Sequence, residues 1–293
     1  MAYFYLALCG ILSGGIVFGA KVLSQAGASL FEIMIYPNLL SWLVMSFAMR
    51  GKFSALRAVP LPAKILFSLS LFMVAVGQYA PLFLNVPVAL VVLLMYLQPI
   101  WTILIERFYF RRQQSRLTWF LVFFMVIGLI LLINPDAGHN LSPWGVLLAV
   151  LAGMGISLWL VVSQYFSRCN VSPIATFWAA SLYALIPLFL LYAALSGTAE
   201  FAKLRLFSFD LPPALWLGFL LYTLFCYILP NLLLFSNNRH ISAVVIGMLL
   251  LLEPVTGVFL DWLFLGTQLT WNILLGGAVI LISNAILVKS KAV

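Results

Sequence analysis

Long apolar runs, separated by short polar or basic gaps, divide the chain into ten segments. They lie near 3–22, 31–49, 64–84, 87–105, 117–134, 143–164, 173–195, 213–236, 242–264 and 270–288. Each approaches the ~20 residues that an α-helix needs to cross a bilayer. None shows the strict alternation of a barrel strand. The pattern predicts an all-α membrane protein with ten transmembrane helices and little chain outside the bilayer. Only Leu84-Asn85-Val86-Pro87 parts the third segment from the fourth, and Pro87 suits the first turn of a new helix. No basic residue precedes the first run, so it reads as a span rather than a cleaved signal peptide.

Composition narrows the class further. Of 293 residues, 65% are hydrophobic and 8% charged, whereas soluble domains are nearer half apolar and a quarter charged. A soluble globule of this size could not hide so much apolar surface. A water-soluble enzyme, a disordered chain and a disulfide scaffold are therefore excluded. The three cysteines and two histidines are scattered, with no disulfide, metal or catalytic spacing, and no Walker motif occurs. Neither a cofactor nor enzymatic activity is expected.

The chain carries 15 Lys and Arg against 7 Asp and Glu. Among the basic residues, only Lys21, Lys203 and Arg205 fall in gaps on the side opposite the N-terminus. The positive-inside rule then predicts both termini in the cytoplasm. The basic excess reads as a topology signal, not as a nucleic-acid surface. Within the long outer gap, Glu200-Phe201-Ala202-Lys203-Leu204-Arg205-Leu206-Phe207 interleaves apolar and charged residues. It reads as a segment lying in the interface, with a substrate lid as the sharper alternative.

The halves of the chain echo each other. The stretch from Ala89 to Ile100, ending Gln98-Pro99-Ile100, matches Val244 to Val255, ending Glu253-Pro254-Val255. Thr118-Trp119 matches Thr270-Trp271, and Ser29 matches Ser172; the three offsets are 155, 152 and 143. A duplication explains them, with repeats over 1–134 and 143–293 joined by an outer linker at 135–142. Five spans per repeat is an odd number, so the second repeat starts on the opposite side of the membrane. The expected architecture is two inverted five-helix repeats, an arrangement of secondary transporters that places the substrate near the midplane.

On these residues the chain resembles the EamA-type transporters of the drug/metabolite transporter superfamily. The resemblance is carried by Leu251-Leu252-Glu253-Pro254-Val255, by Leu97-Gln98-Pro99-Ile100, by Glu106 and Asp261 closing those helices, and by Trp119 and Trp271 opening the next. It covers nearly the whole chain. It implies ten spans in two repeats, a location in the bacterial cytoplasmic (inner) membrane, and export more often than import. The chain departs from the common pattern at Gln98, where Glu is frequent, and at Tyr36-Pro37, where many relatives carry an arginine.

Glu253 is the only acidic residue deep in a span. An ionised carboxylate there costs about 3 kcal/mol on insertion scales, so it must face the bundle interior and find donors or a proton. It is a candidate to couple transport to protons or to receive a substrate amine, against a plain role at the kink beside Pro254. Gln98 beside Pro99 occupies the matching place in span 4. The same helix faces continue to Trp101 and Thr102, and to Thr256, so two kinked helices are expected to line a cavity from opposite sides. The alternative is helix packing through small and polar residues. Tyr79 and Tyr96 are candidate wall residues, and Gln78 and Asn231 candidate hydrogen-bonding partners. Asn38, Tyr36, Trp159, Trp178, Tyr183 and Tyr227 are weaker candidates for the same work. Gly10, Gly14, Gly15 and Gly19 in span 1, like Gly153 and Gly155 in span 6, favour close helix packing. Lys21 and Glu32, at the outer ends of spans 1 and 2, read as snorkelling residues, with an ion pair or outer gate as the alternative.

No Lys or Arg lies deep in any span, which disfavours polyanionic cargo. The expected function is secondary active transport of a small neutral, zwitterionic or amine-bearing metabolite, such as an amino acid, by alternating access, with protons as the candidate coupling ion. The alternative is a membrane protein that does not cycle: a lipid scramblase, a channel or a ligand-sensing component.

Overall fold

The computed structural model describes residues 1–49, 54–84, 86, 88–109, 111, 113–133, 142–195, 208–266 and 269–292, without the side chains of 17, 54, 55, 79, 82, 83, 88–90, 133, 195, 291 and 292. The Glu200–Phe207 segment, Pro87 and most of the 135–142 linker lie outside the described residues.

The described chain is all helical. We number the long helices α1 (Ala2–Gln25), α2 (Leu30–Met49), α3 (Leu61–Phe83), α4 (Val88–Met95 continuing as Gln98–Phe108), α5 (Arg116–Ile133), α6 (Pro143–Arg168), α7 (Pro173–Leu195), α8 (Pro213–Asn237), α9 (Ala243–Leu265) and α10 (Trp271–Ala292). Among the described residues, nine are long and apolar enough to cross a membrane, and Arg116–Leu132 is a shorter apolar helix. Large apolar side chains such as Phe47, Phe123, Leu190 and Leu275 are exposed on the outside of the bundle. Lipid covers such a surface without penalty.

Local chemistry sets the helix starts. Pro143, Pro173 and Pro213 occupy first helical positions, where a missing N–H goes unnoticed. Ser142, Ser172 and Ser242 each accept from the backbone N–H three residues on. Ser29 and Glu32 form a reciprocal capping box at the start of α2. The Ser29 N–H donates to Glu32 Oε2 at 2.7 Å, and the Glu32 N–H to Ser29 Oγ at 3.2 Å.

Interior prolines set the irregularities. Pro99 and Pro254 each remove the donor that would bond the carbonyl four residues earlier. Accordingly α4 breaks at Tyr96-Leu97 and α9 turns tightly at Leu251, where the Leu251 N–H bonds to the Met248 carbonyl at 3.2 Å. Pro230 follows a π-helical stretch, Thr223–Ile228, inside α8. The apolar runs conceal these three interruptions, because hydrophobicity is uninterrupted across them.

The principal packing pairs are α3 with α6, α1 with α8, α4 with α6, α1 with α9, α3 with α7, α2 with α8, α2 with α7, α4 with α9, and α5 with α10. Exchanging each helix with the one five places away returns these nine pairs, whereas α7 with α8 and α6 with α9 also pack and have no counterpart of like extent. Helix α9 is central: all eight residues of its first half, Ala243–Leu250, are buried.

One expectation is corrected here. Lys21 and Glu32 do not pair, and Glu32 does not snorkel. Lys21 Nζ lies 2.9 Å from Asp261 Oδ2. Glu32 is buried, held by its cap and by the Ser208 N–H at 3.2 Å from Oε1. A carboxylate that already accepts backbone N–H groups at a helix N-terminus needs no cation.

Candidate functional site

A cavity of about 180 Å³ sits where the two broken helices face each other, walled by α1, α2, α3, α4, α6, α7, α8 and α9. Gln78, Tyr96, Gln98, Asn231 and Glu253 line it, as do Asn38, Trp159 and Tyr227. Cys9, Ser13, Phe177 and Ser181 complete much of the wall. Nothing in the apolar runs singled out Phe177 and Ser181. Ser13 adjoins Gly14 and Gly15 of the glycine-rich face of α1.

Gln98 is held rigidly. Its backbone carbonyl accepts from the Ser157 hydroxyl at 2.8 Å and from the Thr102 hydroxyl at 3.0 Å, and its Oε1 lies 3.1 Å from Thr102 Oγ1. The Ser157 and Thr102 hydroxyls are themselves 3.0 Å apart. Across the seam, the amide packs on Gly247, where any Cβ would overlap it. With its oxygen so engaged, Gln98 Nε2 has no partner among the described residues. Trp159 Nε1 and Ser181 Oγ, on the same wall, are likewise without one. Buried donors left open in this way are costly, roughly 1–3 kcal/mol each.

Glu253 faces the cavity from the other side, at the first turn after the α9 break. Tyr96 lies beside its carboxyl group on the cavity wall. Close approach of α1 backs this corner: a Cβ on Gly14 would lie 2.8 Å from the Glu253 carbonyl oxygen. A Cβ on Gly10 would lie 2.6 Å from that of Leu249. Gly153 of α6 stands in the same relation to α4, with a Cβ 2.9 Å from the Leu94 carbonyl oxygen. In α8, Tyr227 of the π-helical stretch and Asn231, one turn on, line the cavity, and Asn231 Nδ2 donates to the Tyr227 carbonyl at 2.9 Å.

Three expected wall residues lie elsewhere. Thr102 is buried in the Gln98 network behind the wall. Thr256 donates to the Leu252 carbonyl at 3.0 Å and packs on Gly14. Trp101 lines a separate apolar groove of about 730 Å³ between α3, α4 and α6. Trp101 lies three residues after Gln98, only about 60° round the helix, so the packing of α3 and α6 rather than spacing directs it to the groove. The Tyr79 side chain is outside the described residues.

One end of the bundle is tied by a buried network. Glu106 Oε1 accepts from the Ala243 N–H at 3.1 Å and Oε2 from Gln114 Nε2 at 2.7 Å. Gln164 Nε2 donates to the Ile241 carbonyl at 2.6 Å. Asn238 accepts from the Ser167 hydroxyl and donates to Ser163 Oγ. Together these join the ends of α4 and α6 to the α8–α9 turn. Among the described residues no three His, Cys, Asp or Glu side chains gather as a metal site would require.

Comparison with known proteins agrees with this architecture. A solved structure superposes on 96% of this chain and 94% of its own, with a TM-score of 0.75 at 19% identity, which establishes a shared fold. No curated protein matches the sequence. The family model of the EamA-like transporters matches residues 143–289, half of the chain. This integral membrane chain belongs to the EamA-like transporter family and is a transporter rather than an enzyme.

Proposed function

We propose that the protein is a secondary active carrier of a small neutral, zwitterionic or amine-bearing metabolite, such as an amino acid, bound in the central cavity. The observation that carries this is a carboxylate, Glu253, and unpartnered donors, Gln98 Nε2 and Trp159 Nε1, among the residues lining one cavity. The carboxylate suits an ammonium group, and the open donors suit a carboxylate or carbonyl oxygen. No Lys or Arg lines the cavity among the described residues, so a phosphorylated cargo lacks counter-charge. The volume, below the ~300–1,000 Å³ of sites for drug-sized ligands, favours a small molecule.

The transport cycle is rocking of one five-helix repeat, 1–134, against the other, 143–293, in opposite membrane orientations with both termini cytoplasmic. The exchange-invariant packing set, the two matched helix breaks and the start of the family match at residue 143 support this division. Opening the end tied by Glu106, Gln164 and Asn238 releases cargo on that side. Protons are the coupling ion, taken up and released at Glu253. The purified protein, screened by thermal shift against a metabolite panel at two pH values and then reconstituted in liposomes, tests the reading. Saturable flux, stimulated by counter-substrate, is expected. Non-saturating conductance would assign a channel instead.

A further inference from the structure

The second cavity of the protein lies on the outside of the bundle. It is a groove of about 730 Å³ between α3, α4 and α6, with Ala63, Leu66, Trp101, Leu104, Met154 and Leu158 among its walls. No charged side chain lines it among the described residues. It runs from Trp101, about two turns before the end of α4, to Pro60, Tyr109 and Tyr165, where α3 starts and α4 and α6 end. Side chains here leave a recess rather than a filled helix–helix seam. In a bilayer, hydrocarbon must occupy it.

The rim at that end is basic. Lys64 follows Ala63 at the start of α3, and Arg107 precedes Phe108 at the end of α4. Arg168 lies three residues after Tyr165, on the same face of α6. Arg57 and Arg111 flank the same end, and of these five only Lys64 is less than exposed. The acidic residue of this region, Glu106, is buried and turned to the Ala243 N–H and Gln114. Tyr109 and Tyr165 stand between walls and rim, the level at which amphipathic rings meet headgroups.

We propose that this groove is a binding site for an anionic phospholipid. One acyl chain lies along the apolar walls, and the headgroup phosphate sits among Lys64, Arg107 and Arg168. Basic recesses between transmembrane helices recognise anionic headgroups by the same balance of apolar and electrostatic contact. The site shares the wall of α4 and α6 with the Gln98–Thr102–Ser157 network, so a bound lipid braces the outer side of that network. The proposal does not depend on the identity of any transported cargo.

Native mass spectrometry of the delipidated full chain tests it, after exposure to phosphatidylglycerol, to phosphatidylcholine with the same acyl chains, or to glycerol phosphate. The wild type is expected to retain one phosphatidylglycerol and to prefer it over phosphatidylcholine. Leu158→Trp, which fills the groove, should lower retention of both lipids. Lys64→Gln with Arg168→Gln should leave chain binding in place and reduce the preference by roughly tenfold or more, at ~1 kcal/mol per cation removed. Leu217→Trp, on an exposed face elsewhere, should change nothing. Equal retention of the two lipids by the wild type would overturn the proposal. So would a preference unaltered in the double variant, which decides the matter even where Leu158→Trp fails to fold. Binding of glycerol phosphate as tight as that of the lipid would show a free-phosphate site instead.

Discussion

The two helix breaks are matched in sequence and differ in what they do with it. At the α4 break, Gln98 is almost fully buried, and its carbonyl and side-chain oxygens are taken by Ser157 and Thr102. At the α9 break, the position corresponding to Thr102 is Gly257, and that corresponding to Ser157 is Gly14. Both hydroxyls are missing there. Glu253 is correspondingly less buried and lines the cavity near Tyr96. One half of the chain thus supplies a fixed amide and the other a carboxylate free of such an anchor.

The far ends of the same helices repeat the contrast. Asp261 and Lys21 form an ion pair with side-chain exposures of 27% and 45%, which leaves it screened by solvent. Their counterparts, Glu106 and Gln164, are buried and bonded to the backbone of the α8–α9 turn. One end is closed by a weak, exposed contact and the other by a buried network. The two ends should therefore open at unequal cost.

The largest expected effect breaks the first contrast. Glu253→Gln should cut transport at least ~10-fold, the loss of one charge-assisted contact of about 1.5–3 kcal/mol, and should remove its pH dependence. A wild-type rate and pH profile in liposomes would refute a central role for the carboxylate. Next are the close approaches that support both breaks. Gly10→Ala and Gly153→Ala should each destabilise by about 1–3 kcal/mol through overpacking against a backbone carbonyl. Gly277→Ala, with its nearest neighbours 3.7 Å from a Cβ, should be nearly silent. Thermal unfolding in detergent measures all three, and equal shifts would show that the α1 and α6 glycines are not under constraint.

Smaller effects test the two ends. Gln164→Ala leaves the Ile241 carbonyl without its donor and should cost ~1–3 kcal/mol. Lys21→Gln should cost less than ~1 kcal/mol and should matter less still at high salt. A reversed order in the unfolding midpoints would mean that the exposed pair is the stronger closure. In accessibility labelling of single-cysteine variants, the Lys21 end should open more readily than the Gln164 end.

Much of the site was legible because of burial cost. A lone carboxylate in an apolar run, and two prolines at matching places, have few acceptable surroundings in a bilayer, so Glu253 and Gln98 pointed to a common interior. Trp101, Thr102 and Thr256 were less tractable. Sequence spacing places them within a turn of the key residues on the same helix segments, but residues three or four apart still differ by about 40–60° around a helix, and the neighbouring helices decide whether each meets a groove, a network or a packing contact. Ser181 and Phe177 carried no signal at all, since a serine or phenylalanine in a span has many ordinary roles.

The sequence alone determined the membrane class, the number of apolar segments, the family and the pair of residues at the centre. Each follows from the cost of placing charge, or a chain without a backbone donor, in hydrocarbon, and that cost is local. Tertiary structure decided which partner each polar group takes. Lys21 pairs with Asp261 rather than Glu32, and Gln98 sets its side-chain oxygen against Thr102 while its amide nitrogen packs on Gly247 without a partner among the described residues. Such choices depend on distances between helices far apart in the chain, set by glycine contacts and helix breaks that hydrophobic pattern does not encode.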